Sequence, residues 1–317
     1  MDVLTMGELL VEIMRDTEGA SLREKGIFLG PFPSGAPAIC IDTAARLGCS
    51  TAIIGGVGRD DFGDCILKRL ERDGVGTNHV LTSPTGSTGC AFVTYFADGS
   101  RKFIFHMDNT PAVAAKAPSP KALGAVRYFH IMGCSLTANA AFGAEILRLM
   151  HELKAAGTKI SFDPNIRREL LTGDPKLYIH DLMDHVNIFL PGLEELLLIT
   201  DSASETEAVE KCFSRPSMEV VMLKNGSKGS RIYTRDGMSE IGVYKVIQKD
   251  ATGAGDCFDG AFLAGLCQGR DLVTAAKMGA AAGALNAAAF GPMEGDISPE
   301  AVENILRGTA EKEGNPH

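Results

Sequence analysis

Residues 250–262 read DATGAGDCFDGAF, a polar, glycine-containing turn that leads directly into an apolar helical run. Glycines let the backbone approach a ligand closely, and the first turn of a helix presents N–H groups without partners. Gly253, Ala254 and Gly255 are therefore candidates for an anion hole that suits a phosphate in transfer. Asp256 stands at its mouth, where a carboxylate can accept the proton of a hydroxyl that attacks phosphorus. An Asp that only caps the helix explains the pattern equally well.

Two other phosphate-binding patterns fail on their spacing. Residues 226–230 read GSKGS, which lacks the G-x-x-x-x-G-K-[ST] order of a P-loop. Gly7-Glu8-Leu9 does not supply the G-x-G-x-x-G of a dinucleotide site, and Phe258 stands where the late motif would need its third glycine. A nicotinamide-dependent oxidoreductase is therefore disfavoured, but it stays open as an alternative from another class.

Strand-like and helix-like segments alternate along the middle of the chain. The predicted strands cover 126–132, 159–163, 187–190 and 219–223. The predicted helices cover 139–156, 177–185 and 194–199, and the Ala- and Gly-rich run 275–290 predicts a further packed helix. Nearly continuous apolar strands in a β-α-β-α order are typical of a parallel sheet covered by helices on both faces. We therefore expect an α/β fold, with residues 1–317 forming a single domain.

Two inserted segments interrupt this alternation and predict a second, smaller sheet. Residues 91–96 and 101–105 are rich in β-formers and flank Asp98-Gly99, a dipeptide typical of a tight hairpin turn. The stretch 11–32 carries scattered β-formers and glycines without a helical period. We expect the inserted segments, about 11–33 and 88–110, to form a small antiparallel sheet that acts as a lid.

Composition limits the classes of partner. The 317 residues include 31 Lys+Arg and 40 Asp+Glu, a formal net charge of −9. Surfaces that hold nucleic acid or an anionic membrane need Lys and Arg, so we expect neither partner. The eight cysteines form no C-x-x-C pair, which favours reduced, buried thiols over disulfides or zinc ligands. The start, MDVLTMG, does not read as a signal peptide, and no stretch approaches the ~18 apolar residues of a membrane span; both favour a cytoplasmic protein.

Several ordered motifs carry a resemblance to a known family. They are GELLVE at 7–12, SGAPA at 34–38, GRDDFG at 58–63, DPNIR at 163–167, KNGSKG at 224–229 and the segment 250–262. Together they resemble the ribokinase-like (PfkB) carbohydrate kinases over nearly the whole chain, in the style of fructokinases and 2-keto-3-deoxygluconate kinases. The resemblance implies a three-layer α/β/α fold with a mostly parallel central sheet and a small β-sheet lid. It also implies transfer of the γ-phosphoryl group of ATP to a hydroxyl of a small sugar, with Mg²⁺ as cofactor.

The resemblance further implies roles for individual residues. Asp256 matches the general base, and Gly253, Ala254 and Gly255 match the anion hole around the transferred phosphoryl group. Sugar-binding positions are matched by Glu12, Ser34, Gly35, Ala36, Pro37, Ala38 and Arg167. Nucleotide-binding positions are matched by Asn165, Arg167, Lys224, Asn225, Gly226, Ser227, Lys228, Gly229 and Gly255. Glu195 matches a residue that organises Mg²⁺ through water, and Asp250 and Thr252 match positions that hold a monovalent cation such as K⁺ in some relatives.

Two side chains, Glu12 and His106, have alternative interpretations, and a third, Arg168, is expected to have no role in the site. Glu12 can accept two hydroxyl hydrogen bonds from a sugar, or lie exposed on its strand. His106 is expected on the inner face of a lid strand, where it either hydrogen-bonds a sugar hydroxyl or packs at the domain hinge. Arg168, beside Arg167, is expected to be a solvated surface charge.

Three positions depart from the family's pattern. Ile39 stands where the early glycine loop usually ends in a sugar-binding Asn, and Gly192 stands where the acidic motif usually begins with Asn. The segment Phe105-His106-Met107 replaces Tyr-x-Arg, and a Met cannot pair with the carboxylate of a sugar acid. The expected substrate is therefore a neutral ketohexose such as fructose or tagatose. The alternatives are 2-keto-3-deoxygluconate and, after it, ribose or a nucleoside.

Two expectations concern the protein as a whole. The departures at Ile39 and Gly192 permit a non-catalytic sensor of sugar or nucleotide on the same fold, although such a sensor would have no need of a base at Asp256. Unpaired strand edges invite a partner strand, so the lid predicts a homodimer.

Overall fold

The computed structural model describes residues 1–96, 100–167 and 176–313; the predicted turn Asp98-Gly99 and Arg168 lie outside them. We number strands and helices in chain order. The strands are β1 (Val3–Met6), β2 (Leu10–Arg15), β3 (Phe28–Ser34), β4 (Thr51–Gly58), β5 (Val75–Ser83), β6 (Gly89–Tyr95), β7 (Arg101–His106), β8 (Tyr128–Met132), β9 (Lys159–Asp163), β10 (Val186–Phe189), β11 (Val220–Lys224), β12 (Ser230–Thr234) and β13 (Gly237–Ile241). The helices are α1 (Ala36–Arg46), α2 (Asp61–Arg72), α3 (Pro120–Leu123), α4 (Gly133–Ala138), α5 (Ala140–Ala155), α6 (Lys176–His185), α7 (Leu193–Thr200), α8 (Glu205–Phe213), α9 (Ala254–Cys267), α10 (Leu272–Ala287) and α11 (Pro299–Glu313).

A nine-stranded sheet forms the centre of the molecule, in the order β13-β12-β11-β10-β9-β8-β1-β4-β5. The strands from β11 to β5 run parallel, whereas β12 and β13 add an antiparallel edge. Every residue of β1, β8 and β10 is buried, as the continuous apolar strands of the sequence predict for a sheet covered on both faces.

Two apolar clusters cover the opposite faces of this sheet. One gathers α1, α9 and α10 around side chains such as Ile41 and Phe262. The other gathers α5, α6 and α7 around side chains such as Ile146, Leu182 and Leu196. The three-layer α/β/α fold predicted from the sequence is therefore confirmed. In the part of the chain that the structure describes, no helix combines the length and the apolar character needed to cross a membrane.

A second sheet, hereafter the lid sheet, consists of β2, β3, β6 and β7 in the order β3-β2-β6-β7. Its strands fall within the two inserted segments, apart from the first residue of β2 and the last of β3. The prediction that it is antiparallel throughout is wrong, because its central pair, β2 and β6, is parallel. The reason lies in the main sheet: β2 follows β1 and β6 follows β5, and β1 and β5 both lie parallel to β4. Since β1 and β5 therefore point in the same direction, β2 and β6, which follow them, enter the lid sheet in the same direction and pair in parallel.

Candidate active site

Helix α9 begins at a turn that requires glycine. Gly253 is its N-cap with φ 76°, and a Cβ there would collide with the carbonyl oxygen of Pro292. Ala254 and Gly255 lie in the first turn of the helix. The N–H groups of this turn have no intrahelical acceptors and are available to a ligand. This is the geometry that the predicted anion hole needs.

Asp256 lies in that first turn, and its carboxylate is buried. Asn165 Nδ2 donates a hydrogen bond to Asp256 Oδ1 at 2.7 Å. Burial raises the pKa of the Asp256 carboxyl to about 6, against the opposing effect of the positive charge on Arg167. The group is therefore ionised at neutral pH but remains a stronger base than an exposed aspartate.

Asn165 is held in an unusual backbone conformation. Its φ of 37° lies in the left-handed region, and its backbone N–H donates to Asp163 Oδ1 at 3.0 Å. The Oδ1 atom of Asn165 is buried and has no hydrogen-bond partner among the described residues. A buried amide oxygen without a partner is a free acceptor, here next to Asp256.

Lys224 lies under this group of residues at the end of β11. Its Nζ donates to Asp163 Oδ2 and to both carboxylate oxygens of Asp259, each at 2.9 Å. The ammonium group therefore binds carboxylates of both β9 and α9, and it stabilises the site by holding these two elements together.

A small pocket lies between the lid sheet and the start of α9. Of the residues matched to the sugar or to the reaction, it is lined by Glu12, Ser34, Gly35, Ala36, Arg167, Gly253 and Asp256. Ser34 Oγ donates to Glu12 Oε1 at 2.6 Å, while Glu12 Oε2 is buried without a partner among the described residues. Burial raises the pKa of the Glu12 carboxyl to about 7. Glu12 is therefore buried, and the alternative prediction that it lies exposed on its strand is wrong.

Further pocket residues were not singled out from the sequence. They are Glu8, Leu10, Phe103, Phe105 and Cys134. Glu8 is buried, accepts a hydrogen bond from Ser135 Oγ at 2.5 Å, and has its pKa raised by burial. The sequence did contain a signal, since residues 8, 10 and 12 are spaced by two and alternate residues of an extended strand share one face.

Three of the predicted sugar-side residues lie elsewhere. Pro37 and Ala38 are buried in the first turn of α1 and do not line the pocket; Pro37 lies so close to Gly7 that a Cβ on Gly7 would collide with it. The prediction that His106 lies on the inner face of a lid strand is wrong. His106 is exposed on the outer face of β7, where its ring meets Phe92 edge-on at 6.0 Å, because alternation turns Phe103 and Phe105 inward instead.

A second cavity, a cleft of about 590 Å³, opens on the other side of the start of α9. Of the predicted nucleotide residues, Lys224, Asn225, Gly226, Ser227, Gly229 and Gly255 line it, and Ala254 does so too. Asn165 and Lys228 do not line this cleft, and Arg167 lines the sugar-side pocket instead. The remaining walls come mainly from 242–248 and from small residues of α10, namely Ala280, Gly283, Ala284 and Ala287.

The predicted metal residues already have protein partners. Both carboxylate oxygens of Glu195 accept backbone N–H groups, Oε1 from Ile166 and Oε2 from Gly192, each at 2.8 Å. Asp250 Oδ1 accepts from the Thr252 N–H at 2.8 Å, and Asp250 Oδ2 accepts from the Tyr95 hydroxyl at 3.2 Å. Asp250 and Thr252 thereby fasten the lid sheet to the turn before α9.

Comparison with known proteins agrees with this geometry. A family model described as pfkB family carbohydrate kinase matches residues 2–299. The chain belongs to the pfkB family of carbohydrate kinases. Fructokinase-1 of rice is 33% identical over 270 residues, which cover 84% of this chain and 83% of that protein. The nicotinamide oxidoreductase alternative is therefore wrong.

Solved structures of similar proteins support the same family. An E. coli protein provisionally called ribokinase II, solved with ATP and Mg²⁺, is 36% identical with a TM-score of 0.90. The alignment covers 97% of this chain and 99% of that one. Fructokinase of Xylella fastidiosa with bound ATP has the same fold, with a TM-score of 0.86 at 22% identity over 98% of this chain and 99% of that one.

The three departures from the pfkB pattern have different structural consequences. Ile39 lines the sugar-side pocket and gives it an apolar wall. Met107 is buried in the apolar cluster around Ile146 and does not line the pocket. At Gly192 the main-chain N–H, which any residue except proline would supply, donates to Glu195 Oε2. Phe105, which stands where the pattern has Tyr, also lines the pocket, so Ile39 and Phe105 both change the surface that a sugar would touch.

The buried carboxyl of Glu12 makes a testable contribution to stability. Its pKa is about 7 in the folded protein against an ordinary value of 4.5, so the folded state keeps a proton that the unfolded chain releases. This contribution is present below about pH 4.5 and is lost as the pH rises through 7. We expect Glu12→Gln to stabilise the protein at pH 8, on the order of 1–3 kcal/mol, with the gain vanishing towards pH 5. Denaturant unfolding at both pH values measures it.

The matched control is Glu18→Gln, because Glu18 is exposed. Its unfolding free energy should equal that of the wild type at both pH values. A Glu12→Gln variant that is less stable than the wild type at pH 8 would show that the ionised carboxylate is well paired in the folded protein.

Proposed function

We propose that this pfkB kinase transfers the γ-phosphoryl group of ATP to a hydroxyl of a neutral ketohexose, with Asp256 as the general base. One observation carries the proposal: the first turn of α9 separates two cavities. Gly253 and Asp256 face the small pocket under the lid sheet, whereas Ala254 and Gly255 face the 590 Å³ cleft. A group transferred from the cleft to the pocket would pass the N–H groups of this turn.

Asp256 would take the proton of the attacking hydroxyl as the new O–P bond forms. A base is most effective when its pKa lies near the working pH, and burial moves the pKa of Asp256 to about 6. The hydrogen bond from Asn165 fixes one carboxylate oxygen and leaves the other for the substrate. The N–H groups of the helix start would stabilise the charge on the phosphoryl oxygens.

The cleft suits ATP because glycines and alanines form part of its walls. Gly226 and Gly229 at the end of β11 and Gly283 on α10 leave room for a flat ring system. Magnesium, when bound with ATP, neutralises charge on the phosphates. It usually keeps several waters, and Glu195 fits a contact through water because both its oxygens already accept backbone N–H groups.

The sugar-side pocket favours a neutral polyhydroxyl substrate. Glu8 and Glu12 are two buried carboxylates, and Glu12 Oε2 offers a free acceptor to a hydroxyl. Arg167 is the single cation among the described residues that line the pocket, and its charge, like that of nearby Arg101, already acts on Asp256 and Glu12. A sugar acid would bring another negative charge to this pocket, so 2-keto-3-deoxygluconate is disfavoured. The name fructokinase among the relatives points to the same choice.

The substrate is tested by ADP release with MgATP against fructose, tagatose, 2-keto-3-deoxygluconate, ribose and a nucleoside. We expect the highest kcat/KM with fructose or tagatose. Preference for 2-keto-3-deoxygluconate would show that Arg167 pairs with a carboxylate. No ADP release with any of these acceptors, in a protein that still binds ATP, would favour the non-catalytic sensor.

Repeating the assay with choline in place of K⁺ tests the proposed monovalent cation site at Asp250 and Thr252. A lower rate of ADP release without K⁺ supports that site.

Substitution of the proposed base provides the test of mechanism. We expect Asp256→Asn to lower kcat by about 10²–10⁴-fold, the usual contribution of a positioned base, while ATP and sugar still bind. Calorimetric titration separates binding from turnover, and Asp236→Asn on the exposed β12–β13 turn is the control that should keep full activity. In the wild type kcat/KM should fall as the pH drops through about 6, because Asp256 becomes protonated. Retained turnover in Asp256→Asn would refute the role.

We also propose that two copies of the chain associate through their lid sheets. The edge strands β3 and β7 carry exposed Leu29 and Ile104, and Ile27 precedes β3 with 64% of its surface exposed. Burying these side chains against a second copy would remove both apolar surface and an unpaired strand edge from water.

Sedimentation velocity measures this association. The wild type should sediment as a dimer, and Ile104→Lys should shift it to monomer because a charge would then lie in the interface. The matched control Ile247→Lys, at another exposed isoleucine outside the lid sheet, should remain dimeric. A monomeric wild type, or an Ile104→Lys variant that is still fully dimeric, would overturn the proposal.

A further inference from the structure

Helices α5 and α6 bring three potential metal ligands together on the surface. His151 Nε2 lies 2.8 Å from Asp181 Oδ2, and His185 Nε2 lies 3.8 Å from Asp181 Oδ1. One ligand atom from each residue can be chosen so that all three lie within 4.8 Å of one another. Asp181 and His185 are four residues apart on α6 and so share one face of that helix, while His151 reaches across from α5.

We propose that His151, Asp181 and His185 form a binding site for a divalent transition metal of the zinc type. Two imidazole nitrogens and one carboxylate oxygen are a donor set that Zn²⁺ and its neighbours accept, with a fourth position left for water. Ligand atoms about 2.0–2.1 Å from a tetrahedral ion lie roughly 3.3 Å apart. The distances of 2.8 and 3.8 Å lie on either side of that value, so small rotations of the side chains complete the site.

The plain alternative is a surface ion pair between Asp181 and a protonated histidine, worth about 0–1 kcal/mol. Two observations favour a metal. The imidazole rings of His151 and His185 lie 4.7 Å apart at 84°, so both surround the same carboxylate. Among the described side chains, Lys154 of α5 and Arg215 have other partners: Lys154 Nζ donates to Asn187 Oδ1 at 2.7 Å, and Arg215 Nε donates to Asp184 Oδ1 at 3.1 Å.

The proposed site is distant from the phosphoryl-transfer chemistry. His185 ends α6 immediately before β10 begins, and α5 ends four residues before β9 begins. The cluster therefore lies at the amino ends of these parallel strands, whereas Asp163 and Asn165 lie at the carboxyl end of β9. A bound ion would tie α5 to α6 and stabilise the fold without touching substrate, so it differs from the Mg²⁺ that accompanies ATP.

Titration of tag-free protein with Zn²⁺, in the presence of excess Mg²⁺, tests the proposal. We expect one saturable site by calorimetry and a rise in melting temperature. Co²⁺ bound there should show the visible absorption of a low-coordinate nitrogen and oxygen site without a thiolate charge-transfer band, which distinguishes it from cysteine ligation. Mg²⁺ should not compete, because it prefers oxygen donors and octahedral geometry.

Single-residue variants assign the ligands. His185→Ala and Asp181→Ala should each weaken Zn²⁺ binding at least about 10-fold, since even residues that only orient a metal ligand contribute that much. The matched control His180→Ala removes an exposed histidine of the same helix that lies outside the cluster, and should bind Zn²⁺ like the wild type. Sugar-kinase turnover, or the circular dichroism spectrum, should be unchanged in all three. Absence of saturable binding, or unaltered affinity in His185→Ala, would overturn the proposal and leave a simple ion pair.

Discussion

One buried ammonium group holds the functional end of the main sheet together. Lys224 Nζ joins Asp163 at the end of β9 to Asp259 in α9, and its own strand lies two places from β9. Asp163 in turn accepts the N–H of Asn165, whose side chain fixes Asp256. Without the lysine, two buried carboxylates would face each other, a change that typically costs about 3–5 kcal/mol. The position of the proposed base is therefore set by an ion pair whose lysine also lines the cleft proposed for ATP.

Burial raises the pKa of two carboxylates around the sugar-side pocket to different extents. Burial raises the pKa of Asp256, but the charge of Arg167 limits the rise to about 6, so the carboxyl is mainly ionised at neutral pH. Among the described residues, Glu12 has only Ser34 as a hydrogen-bond partner, and burial raises the pKa of Glu12 to about 7. At neutral pH Glu12 exists in both protonation states, so it can donate to a sugar hydroxyl as well as accept from one. At neutral pH the pocket thus pairs a carboxylate that is mainly ionised, Asp256, with one that is present in both protonation states, Glu12.

The sequence predicts those features that depend on local pattern. The β-α-β-α order and the turn Gly253–Gly255 are visible in it because they rest on neighbouring residues. Alternation within a strand was equally visible: it turns Phe103 and Phe105 inward, and it excludes His106 from the pocket. The hydrogen bonds between Asn165 and Asp256, and between Tyr95 and Thr252, join residues 91 and 157 positions apart. Such contacts depend on the order of strands in the sheet, which no local pattern specifies.

The Ala- and Gly-rich helix α10 shows why packing and binding are hard to separate in this protein. Ala275 and Ala281 are buried in the cluster that α10 shares with α9, whereas Ala280, Ala284 and Ala287 line the cleft. Gly283 belongs to both surfaces, because a Cβ there would lie 2.9 Å from the carbonyl oxygen of Ala254. A larger side chain at this position would fill the cleft and also displace the first turn of α9, which carries Asp256. The small residues that suggested only a packed helix in the sequence therefore also shape the cavity and support the turn beside it.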